Sequence, residues 1–126
     1  MLLIKAYSMF ILSIVHLLFI APPLLYIGLM RSATPLWAFQ ALLLAGLFIL
    51  LYHVSRYMKT GSYINIIHIL IIAPVLIAIG WKARNTPRSL YEILLMITFA
   101  LIGWHTLNLV RMTELHSETA TSLAEL

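Results

Sequence analysis

HLLFIAPPLLYIG, His16 to Gly28, and HILIIAPVLIAIG, His68 to Gly80, are two versions of one apolar phrase set 52 positions apart. Each opens on histidine, places proline six residues later and closes on glycine. Extending the comparison outward aligns residues 14–53 with 66–105 without a gap, and 14 of the 40 pairs are identical. Aliphatic coincidences carry little weight in so apolar a chain. The informative matches are His16/His68, Pro22/Pro74, Gly28/Gly80, Thr34/Thr86, Pro35/Pro87 and His53/His105. Self-similarity at a fixed period fixes the architectural unit, and the unit expected here is a helical hairpin used twice.

Composition says what kind of hairpin. Hydrophobic residues make up 63% of the 126 and charged residues 10%, against about a quarter charged in soluble domains. Stretches 6–30, 36–58, 63–81 and 89–110 are apolar nearly all round, unlike the one-sided helices of a water-soluble core. Each approaches or exceeds the ~20 helical residues that cross a bilayer core. The predicted fold class is therefore an all-α, multi-pass integral membrane protein. Its four transmembrane helices are expected to form two tandem hairpins in an antiparallel bundle. The domain expected is 1–111, with repeat units about 5–58 and 59–111, followed by a polar tail, 112–126. The tail, expected to be a short surface helix or disordered, is assigned no function. Both copies enter the membrane in the same sense, which predicts halves related by an axis along the membrane normal.

The first span is too long for a signal peptide, carries Pro22-Pro23 and lacks a small-residue cleavage site, so it is expected to be retained. The absence of cysteine excludes disulfides, thiolate metal ligands and catalytic thiols. The net charge of +4 comes from residues at the span ends, where Lys and Arg meet headgroups, and not from a basic cluster, so nucleic acid is excluded as a partner. With four spans, Lys5, Arg56, Lys59 and Arg111 share the side of the N-terminus, and Arg31, Lys82, Arg84 and Arg88 the far side. The positive-inside rule thus returns a tie.

Within each unit, Thr34 and Thr86 suit a helix N-cap with Pro35 and Pro87 in the first helical position. Pro22 and Pro74 fall inside helices and predict two related kinks. Counting helical rise from the far side places His16 and His53 at roughly 22 to 27 Å, and the repeat carries His68 and His105 to the same depth. Four histidines, one per helix, are expected in one layer facing the bundle interior. Polar residues share their faces: Ser13 with His16, Asn65 with His68, Gly46 and Arg56 with His53, Thr98 and Asn108 with His105. Toward the far side those faces become Ile20, Ile27, Leu42, Ile72, Ile79 and Leu94, a dry half. Gln40 and Glu92 lie off the histidine face, Glu92 as a partner for the positive end of a helix dipole.

Polar and ionisable residues inside a membrane are rare and mark functional sites. Neutral imidazoles ligate haem iron, copper and zinc, and bundle interiors hold such sites. The four histidines are therefore read as a cofactor or metal site for haem b or a transition metal ion, used in electron transfer. Arg56, Lys59 and Arg111 would meet the haem propionates, Asn65 and Asn108 would support the site, and Gly46 and Gly103 would make room for a flat macrocycle. Besides the lipid bilayer, this reading allows a redox partner protein and a homo-oligomer. Two alternatives stand beside it. One is a channel-like conductor of protons or ions, since imidazole titrates near pH 6.5 in water. The other is a scaffold whose histidines only join helices, at about 0.6 kcal/mol per bond in one bundle. Phosphate loops, nucleophile triads, HExxH and paired membrane carboxylates are all absent. Tyr52, Tyr57, Tyr63, Trp81 and Trp104 fall near span ends and read first as an aromatic belt, with Tyr57 or Tyr63 available to hydrogen-bond the site.

Overall fold

The computed structural model describes residues 1–125, apart from the side chains of Leu2 and Leu3. It is all-helical, 93% helix. Four helices are long and apolar enough to cross a membrane: Ile4–Ala33, Leu36–Thr60, Tyr63–Asn85 and Arg88–Ala124. In these spans only 17–28% of the most apolar window is buried, so large side chains such as Phe48 and Trp81 face outward. By length and composition these helices suit a membrane crossing.

The first span is composite. Helix α1, Leu2–Val15, passes through a π-helical turn, His16–Ile20, into α2, Ala21–Met30, and a 3₁₀ turn, Arg31–Ala33. The third span repeats the order: α4, Tyr63–Ile67, a π turn at His68–Ile72, α5, Ala73–Lys82, and a 3₁₀ turn at Ala83–Asn85. The N–H of Ala21 reaches back to the carbonyl of His16, and that of Ala73 to His68. Each π turn ends just before a proline, whose ring would clash with the carbonyl four residues back in a regular helix. Widening the turn to a five-residue step removes that clash, so the prolines expected to kink these helices stand behind inserted π turns.

The second span, α3, runs Leu36–Thr60, and the fourth, α6, Arg88–Ala124. Neither begins on a threonine cap. Pro35 occupies the cap position of α3 with no side-chain cap bond, and α6 starts after Pro87. Thr86 instead donates backward, to the carbonyls of Ala83 at 2.6 Å and Ile79 at 3.3 Å. Thr34 is fully buried and its hydroxyl has no hydrogen-bond partner among the described residues. An X-Pro bond holds the preceding residue extended, here Thr34 at ψ 135° and Thr86 at ψ 127°. Gly61, at φ 63°, closes α3 by donating its N–H to the Tyr57 carbonyl, a left-handed cap that glycine takes without strain. The polar stretch after residue 111 is no separate element. α6 carries it as helix to Ala124, and Leu126 lies outside the described residues.

The chain divides into two compact units, Met1–Pro23 with Thr98–Leu126, and Leu24–Ile97. The second has an aliphatic and aromatic core: Leu24 and Ile27 from α2, Phe39 and Leu42 from α3, Leu76 and Ile79 from α5, Tyr91 and Leu94 from α6. Leu42, Ile27, Ile79 and Leu94 of the expected dry half are thus buried. Within it α3 and α5 approach through glycine. A Cβ on Gly80 would stand 2.5 Å from the Leu43 backbone nitrogen, and one on Gly46 2.9 Å from Ile77 Cγ1. The first unit is different: of the buried residues described in it, Ser13, Ala21, Thr98 and His105, three are polar.

Candidate functional site

Four of the five histidines form two stacked pairs. In the second unit His53, on α3, and His68, which opens a π turn, have ring centroids 3.9 Å apart and planes 16° from parallel. In the first unit His16, which opens the other π turn, and His105, on α6, stack at 4.3 Å and 20°. Among the described residues no three His, Asp or Glu side chains gather closely enough to hold a metal ion together.

Hydrogen bonds orient the rings. His16 Nδ1 lies 2.7 Å from the Leu12 carbonyl and His68 Nδ1 2.8 Å from the Ile64 carbonyl, each four residues back. A carbonyl only accepts, so these nitrogens carry the proton and the neutral ring keeps its lone pair on Nε2. His53 Nδ1 meets Asn65 Oδ1 at 2.8 Å, and Asn65 Nδ2 donates to Thr60 Oγ1 at 3.2 Å, which fixes the amide with its oxygen toward the histidine. The same Nδ1–H tautomer follows. His105 Nδ1 is 3.1 Å from Ser13 Oγ, a hydroxyl able to donate or accept. Thr60 Oγ1 in turn donates to the Arg56 carbonyl, and Tyr52 sets its edge against the His53 ring at a 5.1 Å centroid distance.

The other expected site residues separate. Asn65 is buried beside His53, the histidine of α3, rather than serving the His68 of its own span. Ser13 likewise serves His105 instead of His16. Asn108 and Arg111 line a groove of the first unit with Lys5. Arg56 is exposed, and its guanidinium makes no hydrogen bond or ion pair among the described residues. Gly46 is a helix-packing contact against Leu76 and Ile77 and leaves no opening for a macrocycle, whereas Gly103 faces open space. Glu92 pairs with Arg88 at 2.6 Å on the first turns of α6. Tyr57 and Tyr63 are exposed, and the aromatic that reaches a histidine is Tyr52. Thr60 and Lys5 were not singled out as site residues by pattern. Thr60 offered only proximity to a turn, and Lys5 only its place at a span end.

No protein-family model, curated protein or solved structure matches the chain.

Proposed function

We propose that this is an integral membrane protein built from a duplicated helical hairpin, whose two imidazole pairs bind haem b or a transition metal ion for electron transfer. One observation carries the metal reading. His16, His53 and His68 are each pinned through Nδ1–H to an oxygen, which is how a ligating imidazole is held with Nε2 toward its metal.

Duplication is supported by features that recur 52 residues apart. The π turns begin at His16 and His68. The left-handed non-glycine residues are Arg31 and Ala83. Burial recurs at Ser13/Asn65, Ala21/Ala73, Leu24/Leu76, Ile27/Ile79, Phe39/Tyr91 and Leu42/Leu94. The hydrogen bonds recur too: His53 to Asn65 becomes, with the copies exchanged, His105 to Ser13. Each imidazole pair thus draws one ring from each copy.

The ring spacing selects among modes of binding. An imidazole ligates through Nε2 in the plane of its ring. The rings of each pair lie face to face, at 3.9 and 4.3 Å with planes 16° and 20° from parallel, so their Nε2 lone pairs do not point at one another. A centre held between the two rings of a pair would require them both to part and to turn edge-on. A metal ion held at the Nε2 edges, its coordination completed by water or a partner's donor, requires only a tilt. A redox partner protein and self-association belong to the same proposal.

The test is an absorption spectrum and metal analysis of the protein purified from membranes, with His16→Ala and His53→Ala each removing one ring of one pair. A Soret band or bound copper or zinc, lost or halved in these variants, is expected. A colourless, metal-free protein that takes up neither haem nor metal refutes the reading. A second reading is proton movement through the imidazoles, which would enter and leave at Nε2 in the ring plane and not across the stacked faces. Proton flux in liposomes that is abolished by the same variants, in protein without cofactor, would establish that instead.

A further inference from the structure

The groove of the first unit is a separate feature, with a volume of about 290 Å³. Its walls are Met9 from α1 with Met112 and Leu115 from α6, and its polar lining is Lys5, Asn108 and Arg111. No acidic residue lines it, and Arg111 forms no ion pair with Glu114 on its own helix. Cations at the ends of membrane helices are ordinary. The Asn108 side chain is not. Its Nδ2 is buried from solvent and has no acceptor among the described residues, and a buried donor left unpaired costs about 1–3 kcal/mol.

We infer that this groove holds the headgroup of an anionic phospholipid, with Lys5 and Arg111 on the phosphate, the Asn108 amide turning outward to a phosphate or ester oxygen, and the acyl chains along Met9, Met112 and Leu115. Charge complementarity names the occupant: two cations line a slot whose walls are otherwise Asn108 and apolar side chains. Basic pockets between helices at one membrane face recognise such headgroups. The inference is independent of what the imidazoles bind.

Native mass spectrometry of the full chain in detergent tests it, after delipidation and titration with phosphatidylglycerol or phosphatidylcholine. Phosphatidylglycerol should bind about ten-fold more tightly. Lys5→Gln with Arg111→Gln should weaken it roughly 25-fold, about five-fold per cation. Asn108→Leu, which leaves the charge unchanged, should also weaken it, and Lys59→Gln, outside the groove, should not. Circular dichroism confirms that each variant keeps its helix content. Equal affinity for the two lipids, an unaffected double variant, or an equal effect of Lys59→Gln overturns the site. Equally tight binding of glycerol phosphate, which has no acyl chains, overturns the lipid and makes the occupant a soluble phosphate.

Discussion

Replacing Gly80 by alanine puts the packing argument at risk in the simplest way. The added methyl would lie 2.5 Å from the Leu43 nitrogen and 2.7 Å from its Cα and Cβ. Ordinary contact begins near 3.4 Å, so the overlap is about 0.9 Å, and it is against backbone that has no rotamer to change. α3 and α5 must separate by about that distance. Overpacking of this kind costs ~1–3 kcal/mol, while exchanging glycine for alanine in a helix returns ~0.5–1 kcal/mol. A net loss of about 1–2 kcal/mol is expected. Gly103→Ala supplies the reference, because nothing lies within 4 Å of its new methyl. It should gain up to about 1 kcal/mol. Unfolding in mixed micelles of rising SDS content, followed by tryptophan fluorescence, measures both. Because α3 carries His53 and α5 follows His68, Gly80→Ala should also loosen that ring pair and weaken any ligand it holds. Equal stability of the two variants would show that the close approach of α3 and α5 is not real.

Four further outcomes follow from the geometry. Nitrogen-15 NMR should find His16, His53 and His68 in the Nδ1–H tautomer when neutral; an Nε2–H signal for His16 or His68 contradicts the carbonyl bonds. Asn65→Leu should strand the His53 Nδ1–H and cost about 1 kcal/mol in the same micelle unfolding assay, while Glu92→Gln, breaking an exposed pair, should cost no more than about 0.5. Ala83→Gly should stabilise the protein by about 0.5–1 kcal/mol, since Ala83 has a φ of 48° that only glycine adopts without strain; a lower melting temperature would falsify this. Deleting Leu18 should convert the first π turn to regular helix and, because that turn holds one residue more than an α turn, leave Ser13 facing His105; a cysteine crosslink between positions 13 and 105 should survive the deletion, and its loss contradicts the inserted-residue reading.

The sequence-legible part of the fold is what depends on length and composition. Four apolar runs of about the length that crosses a bilayer core become four helices long and apolar enough to do so. Which residue meets which was less legible. Periodicity put Ser13 on the face of His16 and Asn65 on that of His68, but it does not name the neighbouring helix. Both polar groups instead reach a histidine on another span. Thr34 and Thr86 matched a cap pattern, yet the prolines after them shift the helix starts to Leu36 and Arg88. The π turns were legible only as prolines in the wrong place: a kink and an inserted residue are alternative answers to the same clash. The pairing of histidines did leave a trace in the repeat, since Ser13 and Asn65 occupy the same register and both are short polar side chains. The groove left none, because Lys5 and Arg111 lie 106 positions apart.

α6 is 37 residues in one helix, ~55 Å of rod where a bilayer core asks for about 30. Its last turns are polar and would barely hold as an isolated peptide, but they grow from a helix that already exists, so no nucleation is needed. Anything joined after Ala124 is therefore presented on a stiff mast. Its height and its azimuth are set by Arg88 and the turns that follow, and adding or removing one residue of the mast would swing that cargo by about 100°.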